Sequence, residues 1–262
     1  MPSLDLYSAL DITTRIVACG LALSALEQWS IRAHFGVQGV FSLRLVSPFH
    51  RGWFAFQIVD RYLSFLIGLQ ITASLGLAAL GPFSVPGRPA LVFSFLAAML
   101  VRWRRGLGGD GAEQMSMLVL AAAGLAVLPV PSPDRVMLAV LFIAAQLGLS
   151  YAAAGIAKLV SPLWRSGKAL PAILSTHTHG HPWAASFLQR HPGFAILASW
   201  SVILFECLFP LLVFGPGWML AAALVTGLTF HLLCAVLMGL NSFLWSFPAV
   251  YACVIALWMA WK

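Results

Sequence analysis

The sequence predicts an all-α membrane protein, a polytopic bundle of seven to eight transmembrane helices around a polar intramembrane pocket. First, 61% of its 262 residues are hydrophobic and only 9% are charged, whereas a soluble domain carries about 25% charged residues. Second, the apolar residues form continuous runs instead of alternating with polar ones, which favours helices over a β-barrel. Third, Lys158, Glu206 and His231 lie in or at the end of such runs, and ionisable groups at membrane depth face protein or water.

Eight apolar runs follow one another along the chain. They occupy residues 12–31, 62–80, 90–103, 115–130, 136–157, 194–214, 218–240 and 243–261. The third run has 14 residues, fewer than the roughly 17 that an upright crossing needs, so seven or eight crossings are expected. The first run carries Arg15 and Glu27 near its ends. Residues 1–7 lack the positive segment of a cleaved signal peptide, so we expect the first run to be retained.

Two polar segments separate some of these runs. Residues 32–61 form a long connection, and its aromatic middle, 52–59, is expected to lie along the membrane interface. Residues 161–191 form the largest polar segment and hold four of the seven histidines. We expect 161–191 to be an interfacial loop of helix and turn that covers the mouth of the pocket. Its predicted apolar contacts are Leu163, Trp164, Leu170, Ile173, Trp183 and Phe187.

The net charge of +7 is interpreted as the positive-inside bias of membrane proteins. If all eight runs cross, the loops on one side hold eleven lysines and arginines, Lys158 among them, and the other side holds four. The bias then places the loop after Lys158 in the cytoplasm. No segment is long enough to form a solvated basic domain, so the lipid bilayer is the expected partner and nucleic acid is not.

Cysteine and histidine patterns do not predict a metal site. The four cysteines lie in apolar runs without a C-x-x-C pair, and they are interpreted as small buried side chains. His177, His179 and His181 alternate, and in an extended segment such histidines can chelate a metal. No carboxylate or cysteine accompanies them, so a solvated interfacial loop is favoured and no metal is predicted.

The end of the fifth run combines a lysine with small residues. At helical spacing Tyr151, Gly155 and Lys158 fall at i, i+4 and i+7 and share one face. An amine at or just inside the membrane boundary would therefore stand beside a glycine that lets another helix or a ligand approach closely. The alternative is a lysine that extends its ammonium group to the lipid headgroups.

Two further ionisable residues lie deep in apolar runs. Glu206 stands mid-run in S-V-I-L-F-E-C-L-F-P, and His231 lies past the middle of the seventh run. Each has a structural alternative, a buried or neutral carboxyl for Glu206 and a hydrogen bond between helices for His231. Together with Lys158 they predict one shared pocket. An ionised Glu206 within about 4–6 Å would instead hold Lys158 as a structural cation.

The stretch Y-A-A-A-G-I-A-K-L at 151–159, followed by W-R-S-G at 164–167, resembles the signature of the vitamin K-dependent gamma-carboxylase-like transmembrane family. Bacterial members of this family are often called horizontally transferred transmembrane domains. Weaker similarities occur in the family's order: at 11–20 to its start, at 108–115 to its polar loop between the third and fourth helices, and at Phe230-His231 to its histidine helix. The resemblance implies a single domain, 1–262, in a bacterial inner membrane.

The resemblance also implies which residues carry chemistry. Lys158 matches the base that deprotonates reduced vitamin K, and His231 matches a histidine that lines the same chamber. In the family the reduced quinone reacts with oxygen to give a strong base, which removes a glutamate proton before carbon dioxide adds. The positions that resemble contacts to a quinone cofactor are Tyr151, Gly155, Trp164, Glu206 and Phe230. The family's catalysis implies the non-cytoplasmic face, which conflicts with the charge bias.

The first hypothesis is a membrane enzyme that binds a lipid-soluble quinone, uses Lys158 as a general base and modifies a small peptide or partner protein. The alternative is a non-catalytic membrane scaffold, maturation or immunity subunit of the same fold. Two departures from the family favour the alternative: the 108–115 loop has no histidine, and residues 1–262 contain no counterpart of the large extramembrane part of the animal enzyme. A transporter ranks third because no internal repeat is visible.

Overall fold

Every element of regular structure in the computed structural model is helical. The structure describes residues 4–35, 39, 41–42, 54–105 and 109–262, with the backbone alone for 54–56, and no strand occurs among them. The α-helices are α1 (Leu6–Ser30), α2 (Phe54–Arg61), α3 (Leu63–Leu80), α4 (Gly87–Arg105), α5 (Gly111–Val127), α6 (Pro133–Val160), α7 (Pro162–Arg165), α8 (Ala169–Leu174), α9 (Pro182–Arg190), α10 (Pro192–Leu212), α11 (Gly217–Met238), α12 (Asn241–Ser246) and α13 (Tyr251–Ala260). Short 3-10 helices occur at Arg32–Phe35 and Pro248–Val250.

Six helical segments in the described residues are long and apolar enough to cross a membrane, by length and composition. They are α1, α3, α6, α10, α11 and Asn241–Ala260, which runs from α12 through α13. The predicted runs 90–103 and 115–130 correspond to α4, which carries three arginines in its last turn, and to α5, a shorter apolar helix. The prediction of an all-α protein with membrane-spanning helices is thus confirmed for the described part of the chain.

Helix α1 begins six residues before the predicted run. The Asp5 side chain caps it by accepting a backbone hydrogen bond in the first turn. Arg15, which lies near one end of the predicted run, forms an ion pair of 2.6 Å with Asp11, one turn earlier in the helix. Arg15 also donates hydrogen bonds to the carbonyls of Ala78 and Ala79 at the end of α3. Arg15 therefore satisfies carbonyls that the helix end leaves without donors.

The chain divides into two compact units, residues 1–143 and 144–262. In the first unit α1 packs against α3 and α5, and α4 packs against the same two helices. A hydrogen bond of 2.7 Å between the buried hydroxyls of Ser74 and Ser94 joins α3 to α4. Such small polar contacts suit helices in lipid, where apolar surface alone gives little drive for association. The predicted single domain stays a prediction.

Arg104, which directly follows the predicted run 90–103, is fully buried. Its guanidinium group forms an ion pair with Asp60 of α2 and donates hydrogen bonds to the carbonyls of Phe35 and Phe41. One side chain thus connects α4, α2 and the turn after α1. Arginine suits this position because its five N–H donors can satisfy several acceptors at once.

The predicted segment 52–59 lies partly outside the described residues, and 54–59 form the start of α2. Of the polar loop 108–115, residue 108 is also outside the described range. Asp110 caps α5 by accepting a hydrogen bond of 2.8 Å from the Glu113 amide. The Glu113 carboxylate in turn forms an ion pair with an arginine at the end of α4. The acidic residues of this loop therefore have local structural partners.

In the second unit α10 and α11 pack against each other, joined by the turn 213–216. The segment 161–191 consists of α7, α8 and α9 with turns between them, which agrees with the helix and turn expected. Helices α7 and α9 pack against α10. Leu174, Ala184 and Ala185 form a small core that contacts Leu237 and Met238 at the end of α11. The membrane contact of this segment stays a prediction.

Candidate functional site

Lys158 and Glu206 form an ion pair between α6 and α10. The Lys158 Nζ atom donates hydrogen bonds to both carboxylate oxygens, at 2.8 Å to Oε1 and 2.6 Å to Oε2. The Glu206 side chain is 4% exposed and the Lys158 side chain is 20% exposed. Lys158 lies in the last turn of α6, where the carbonyl ends of the helix favour a positive charge. The amine thus binds a carboxylate of the neighbouring helix α10, within the second unit.

Gly155 allows the two helices of this ion pair to approach closely. A Cβ atom at Gly155 would lie 2.7 Å from the Cys207 amide nitrogen and 2.9 Å from the carbonyl carbon of Glu206. The sequence allowed either a helix or a ligand beside Gly155, and the structure places helix α10 there. Pro210 lies inside α10, four residues after Glu206. Because proline has no N–H, the backbone carbonyl of Glu206 lacks its usual helical hydrogen bond.

The aromatic neighbour of Glu206 packs against the middle of α11. Phe205, the neighbour of Glu206, packs its ring 5.6 Å from the ring of Phe230. A Cβ atom at Gly227 would lie 3.2 Å from the Phe205 ring, and Gly227 is the eleventh of the 22 residues of α11. The Glu206 side chain of this ion pair is 4% exposed, so the two buried charges depend on each other. The position of the amine at or just inside the membrane boundary stays a prediction.

Trp164 provides a flat aromatic surface beside the amine. The Lys158 Nζ atom lies 5.2 Å from the centre of its ring, within range of a cation–π interaction. The Trp200 indole nitrogen donates a hydrogen bond of 3.2 Å to the Arg165 carbonyl, which ties α7 to α10. The predicted cofactor contact Trp164 therefore does lie beside the predicted base.

Tyr151, His231 and Tyr251 form a second polar cluster. Hydrogen bonds join the Tyr151 hydroxyl to His231 Nε2 at 2.7 Å and to the Tyr251 hydroxyl at 3.3 Å. Tyr151 is 2% exposed and His231 is 1% exposed. Gly227 leaves the space for these hydroxyls, because a Cβ atom there would lie 2.2 Å from the oxygen of Tyr251. The hydrogen bond between helices that was the structural alternative for His231 is present.

Aromatic rings enclose this second cluster. Around Tyr151 the nearest ring is that of Phe209, at 4.2 Å between centres. His231 lies 4.8 Å from Phe247, and 5.1 Å from Phe230. Its Nδ1 atom is buried and has no hydrogen-bond partner in the described part of the chain. A polar atom buried without a partner is uncommon in folded proteins and calls for an explanation, such as a bound molecule.

The two clusters share one face of α6, as the spacing of Tyr151, Gly155 and Lys158 predicted. Glu206 lies within electrostatic range of Tyr151 and of Cys234. All seven residues singled out in the sequence lie in the second unit, on α6, α7, α10 and α11. Two contributors were missed, Tyr251 and Pro210. The signal for Tyr251 was available, since it is a hydroxyl-bearing residue in the last apolar run.

The alternating histidines have a modest structural role. His177 and His179 are exposed, and the His181 ring nitrogen accepts a hydrogen bond from the Ala184 amide at the start of α9. No group of three metal-ligating side chains occurs within the described ranges. The expectation that the chain holds no metal stays a prediction.

Replacing Tyr151 by phenylalanine is expected to lower the free energy of unfolding by about 1–3 kcal/mol, because it leaves the buried Nε2 of His231 without its partner. Unfolding in mixed detergent micelles, followed by circular dichroism, measures this loss. Tyr251→Phe serves as the matched control, since its hydroxyl makes the longer bond of 3.3 Å and its loss should cost less. Equal costs for the two variants would contradict the prediction.

Comparisons with known proteins add no relative. No protein-family model matches the chain, and no match is found among curated proteins or among solved structures.

Proposed function

We propose that this chain is an integral membrane enzyme of a bacterial inner membrane that binds a lipid-soluble hydroquinone and uses Lys158 as its proton acceptor. The buried ion pair between Lys158 and Glu206 carries the proposal. With α4, of 19 residues, and α5, of 17, counted beside the six apolar segments, the bundle would have eight crossings around a polar pocket. A small peptide or partner protein would be the molecule modified.

The residues present fit such a cofactor. A hydroquinone has a flat ring and two hydroxyl groups, and it would supply an acidic O–H and reducing electrons. The ring of Trp164 offers a flat surface 5.2 Å from the Lys158 amine, on which an aromatic ring can stack. The unpartnered Nδ1 atom of His231 could bind a hydroxyl group within an aromatic enclosure. These features support the assignment of Trp164 and Phe230 to the cofactor region, with Tyr151 and Glu206 beside them. Gly155 contributes indirectly, because it lets α10 bring Glu206 to Lys158.

The ion pair can supply a base without a change of net charge. Lys158 can pass a proton to Glu206 along their hydrogen bond of 2.6 Å, which leaves a neutral amine and a neutral carboxyl. Surroundings of low polarity shift the equilibrium between the ionised and the neutral pair toward the neutral form, compared with the same pair in water. The amine lone pair can then accept a proton from a bound hydroxyl group, while Glu206 keeps the first proton. The Trp164 ring would stabilise the ammonium group formed.

The non-catalytic alternative has a specific observation in its favour. Both carboxylate oxygens of Glu206 bind Lys158, and the Gly155 contact fixes the two helices beside them. This geometry equally suits a permanent ion pair whose function is to hold α6 against α10. In that case Lys158 remains an ammonium group and no base is available. The protein would then be a membrane scaffold, or a maturation or immunity subunit.

Lys158→Ala and Lys158→Arg separate the two functions. We expect both variants to fold, since a lone buried carboxyl can be neutralised by a proton. Both should bind a short-chain naphthohydroquinone about tenfold or more weakly, because a hydrogen bond to the amine is lost or misplaced. Binding is measured by fluorescence quenching under reducing conditions, and stability by thermal unfolding in detergent. Lys168→Ala, an exposed lysine of the same segment, is the control.

The opposite pattern would assign a structural role. If Lys158→Ala unfolds the protein while Lys158→Arg matches the wild type in stability and in binding, Lys158 is a permanent cation and the proposed enzyme has no base. If the wild type binds no naphthohydroquinone, the cofactor assignment fails whatever the variants do.

A further inference from the structure

The surface of the second unit around α9 carries cations without carboxylates. From residue 135 to residue 205 the sequence contains no aspartate or glutamate. Within this stretch Arg165, Lys168 and Arg190 are exposed. None of the three forms an ion pair with a carboxylate of the described residues. No carboxylate of the described residues therefore neutralises these three positive charges.

A row of aromatic rings accompanies one of these charges, that of Arg190. The rings of Trp183 and Phe187 stack at 5.8 Å with an angle of 14° between their planes. Phe187 also lies 4.8 Å from His191 and 5.7 Å from Phe194. Arg190 follows Trp183 by seven residues, so both lie on one side of α9. We name these five residues the cationic aromatic face.

The face is directed away from the protein core. Trp183 is 69% exposed, and Phe194 is also exposed. The opposite side of α9, with Ala184 and Ala185, packs against the end of α11. Helix α11 is long and apolar enough to cross a membrane, and the end of a crossing helix is expected near the level of the lipid headgroups.

We propose that the cationic aromatic face binds anionic phospholipid headgroups. Its guanidinium group can bind a phosphate through two parallel hydrogen bonds. Its exposed rings match the boundary between headgroups and acyl chains, where tryptophan is enriched. An acidic protein partner would also complement the charge, but it would not account for an exposed aromatic row at the end of a membrane-crossing helix. This site is separate from the residues proposed to bind a hydroquinone, so the two proposals can fail independently.

The test compares dioctanoyl phosphatidylglycerol with dioctanoyl phosphatidylcholine, added to the purified full chain in a neutral detergent, by thermophoresis. The wild type is expected to prefer the anionic lipid. Arg190→Gln should bind the anionic lipid about fivefold more weakly, the effect of one surface cation, and leave the neutral lipid unaffected. Lys262→Gln is the matched control, because Lys262 is an exposed cation outside the 135–205 stretch. It should bind both lipids as the wild type does.

Three results would overturn the proposal. The first is equal binding of the two lipids by the wild type. The second is an Arg190→Gln variant that unfolds like the wild type and binds phosphatidylglycerol with unchanged affinity. The third is binding of a soluble glutamate-rich peptide that depends on Arg190 when phosphatidylglycerol does not bind, which would assign the face to a protein partner. Trp183→Ala provides a second variant, expected to weaken binding of the anionic lipid by a similar factor.

Discussion

Replacing Glu206 by alanine is expected to lower the free energy of unfolding by about 3–5 kcal/mol, because it leaves the Lys158 ammonium group buried without its carboxylate. The carboxylate is 4% exposed and accepts both hydrogen bonds from Nζ, at 2.6 and 2.8 Å. No other carboxylate occurs in the described part of the second unit to replace it. Unfolding with increasing denaturing detergent, followed by circular dichroism, measures the loss.

Two controls test whether the cost comes from the broken ion pair. The double variant Lys158→Met with Glu206→Leu should recover most of the lost stability, because replacing a whole buried ion pair by apolar side chains is often neutral. Asp11→Asn removes a partly exposed ion pair of α1 and should cost about 1 kcal/mol or less. A double variant as unstable as Glu206→Ala alone would contradict this account.

Gly155→Ala is expected to destabilise the protein by about 2–3 kcal/mol, in spite of the better helix propensity of alanine. The added methyl group would lie 2.7 Å from the Cys207 amide nitrogen and 2.9 Å from the Glu206 carbonyl carbon. Both atoms belong to the backbone, so α10 would have to move away from α6. That movement would also lengthen the hydrogen bonds between Lys158 and Glu206. The same detergent unfolding experiment measures the effect.

Gly148→Ala is the matched control, since Gly148 lies on the same helix and faces the same partner. A Cβ atom at Gly148 would lie 3.9 Å from the side chain of Pro210, which is ordinary van der Waals contact. We expect this variant to be unchanged or more stable by up to about 1 kcal/mol. If the two alanine variants have the same stability, close packing at Gly155 does not hold α6 against α10.

Local sequence patterns predicted the face of α6 but left the partner of Lys158 open. The spacing of Tyr151, Gly155 and Lys158 placed them together because helical periodicity depends only on neighbouring residues. The ion pair joins Lys158 to Glu206, 48 residues away, and the sequence offered this pair only as an alternative. Contacts between distant segments decide such pairings, and no local pattern contains them.

Charged residues near the ends of runs were the least predictable part of the fold. Arg15 was expected near one end of the first run but lies well inside α1, where it pairs with Asp11. Arg104 directly follows a predicted run but is buried with Asp60 and two carbonyl groups. In each case the local sequence around a charge that binds protein partners does not differ from the local sequence around a charge exposed to water. Which of the two occurs depends on residues from other helices.

The distance along the chain between Lys158 and Glu206 has a consequence for biosynthesis. The ribosome completes α6 before it makes the 48 residues that lead to Glu206, a delay of roughly 2–10 s at ordinary translation rates. During this delay the Lys158 ammonium group lacks its carboxylate, and a charged side chain within the hydrocarbon region costs up to about 2.5–3.5 kcal/mol. We therefore expect the end of α6 to reach its stable position only after α10 has been made. Assembly of the second unit would then depend on two helices made at different times.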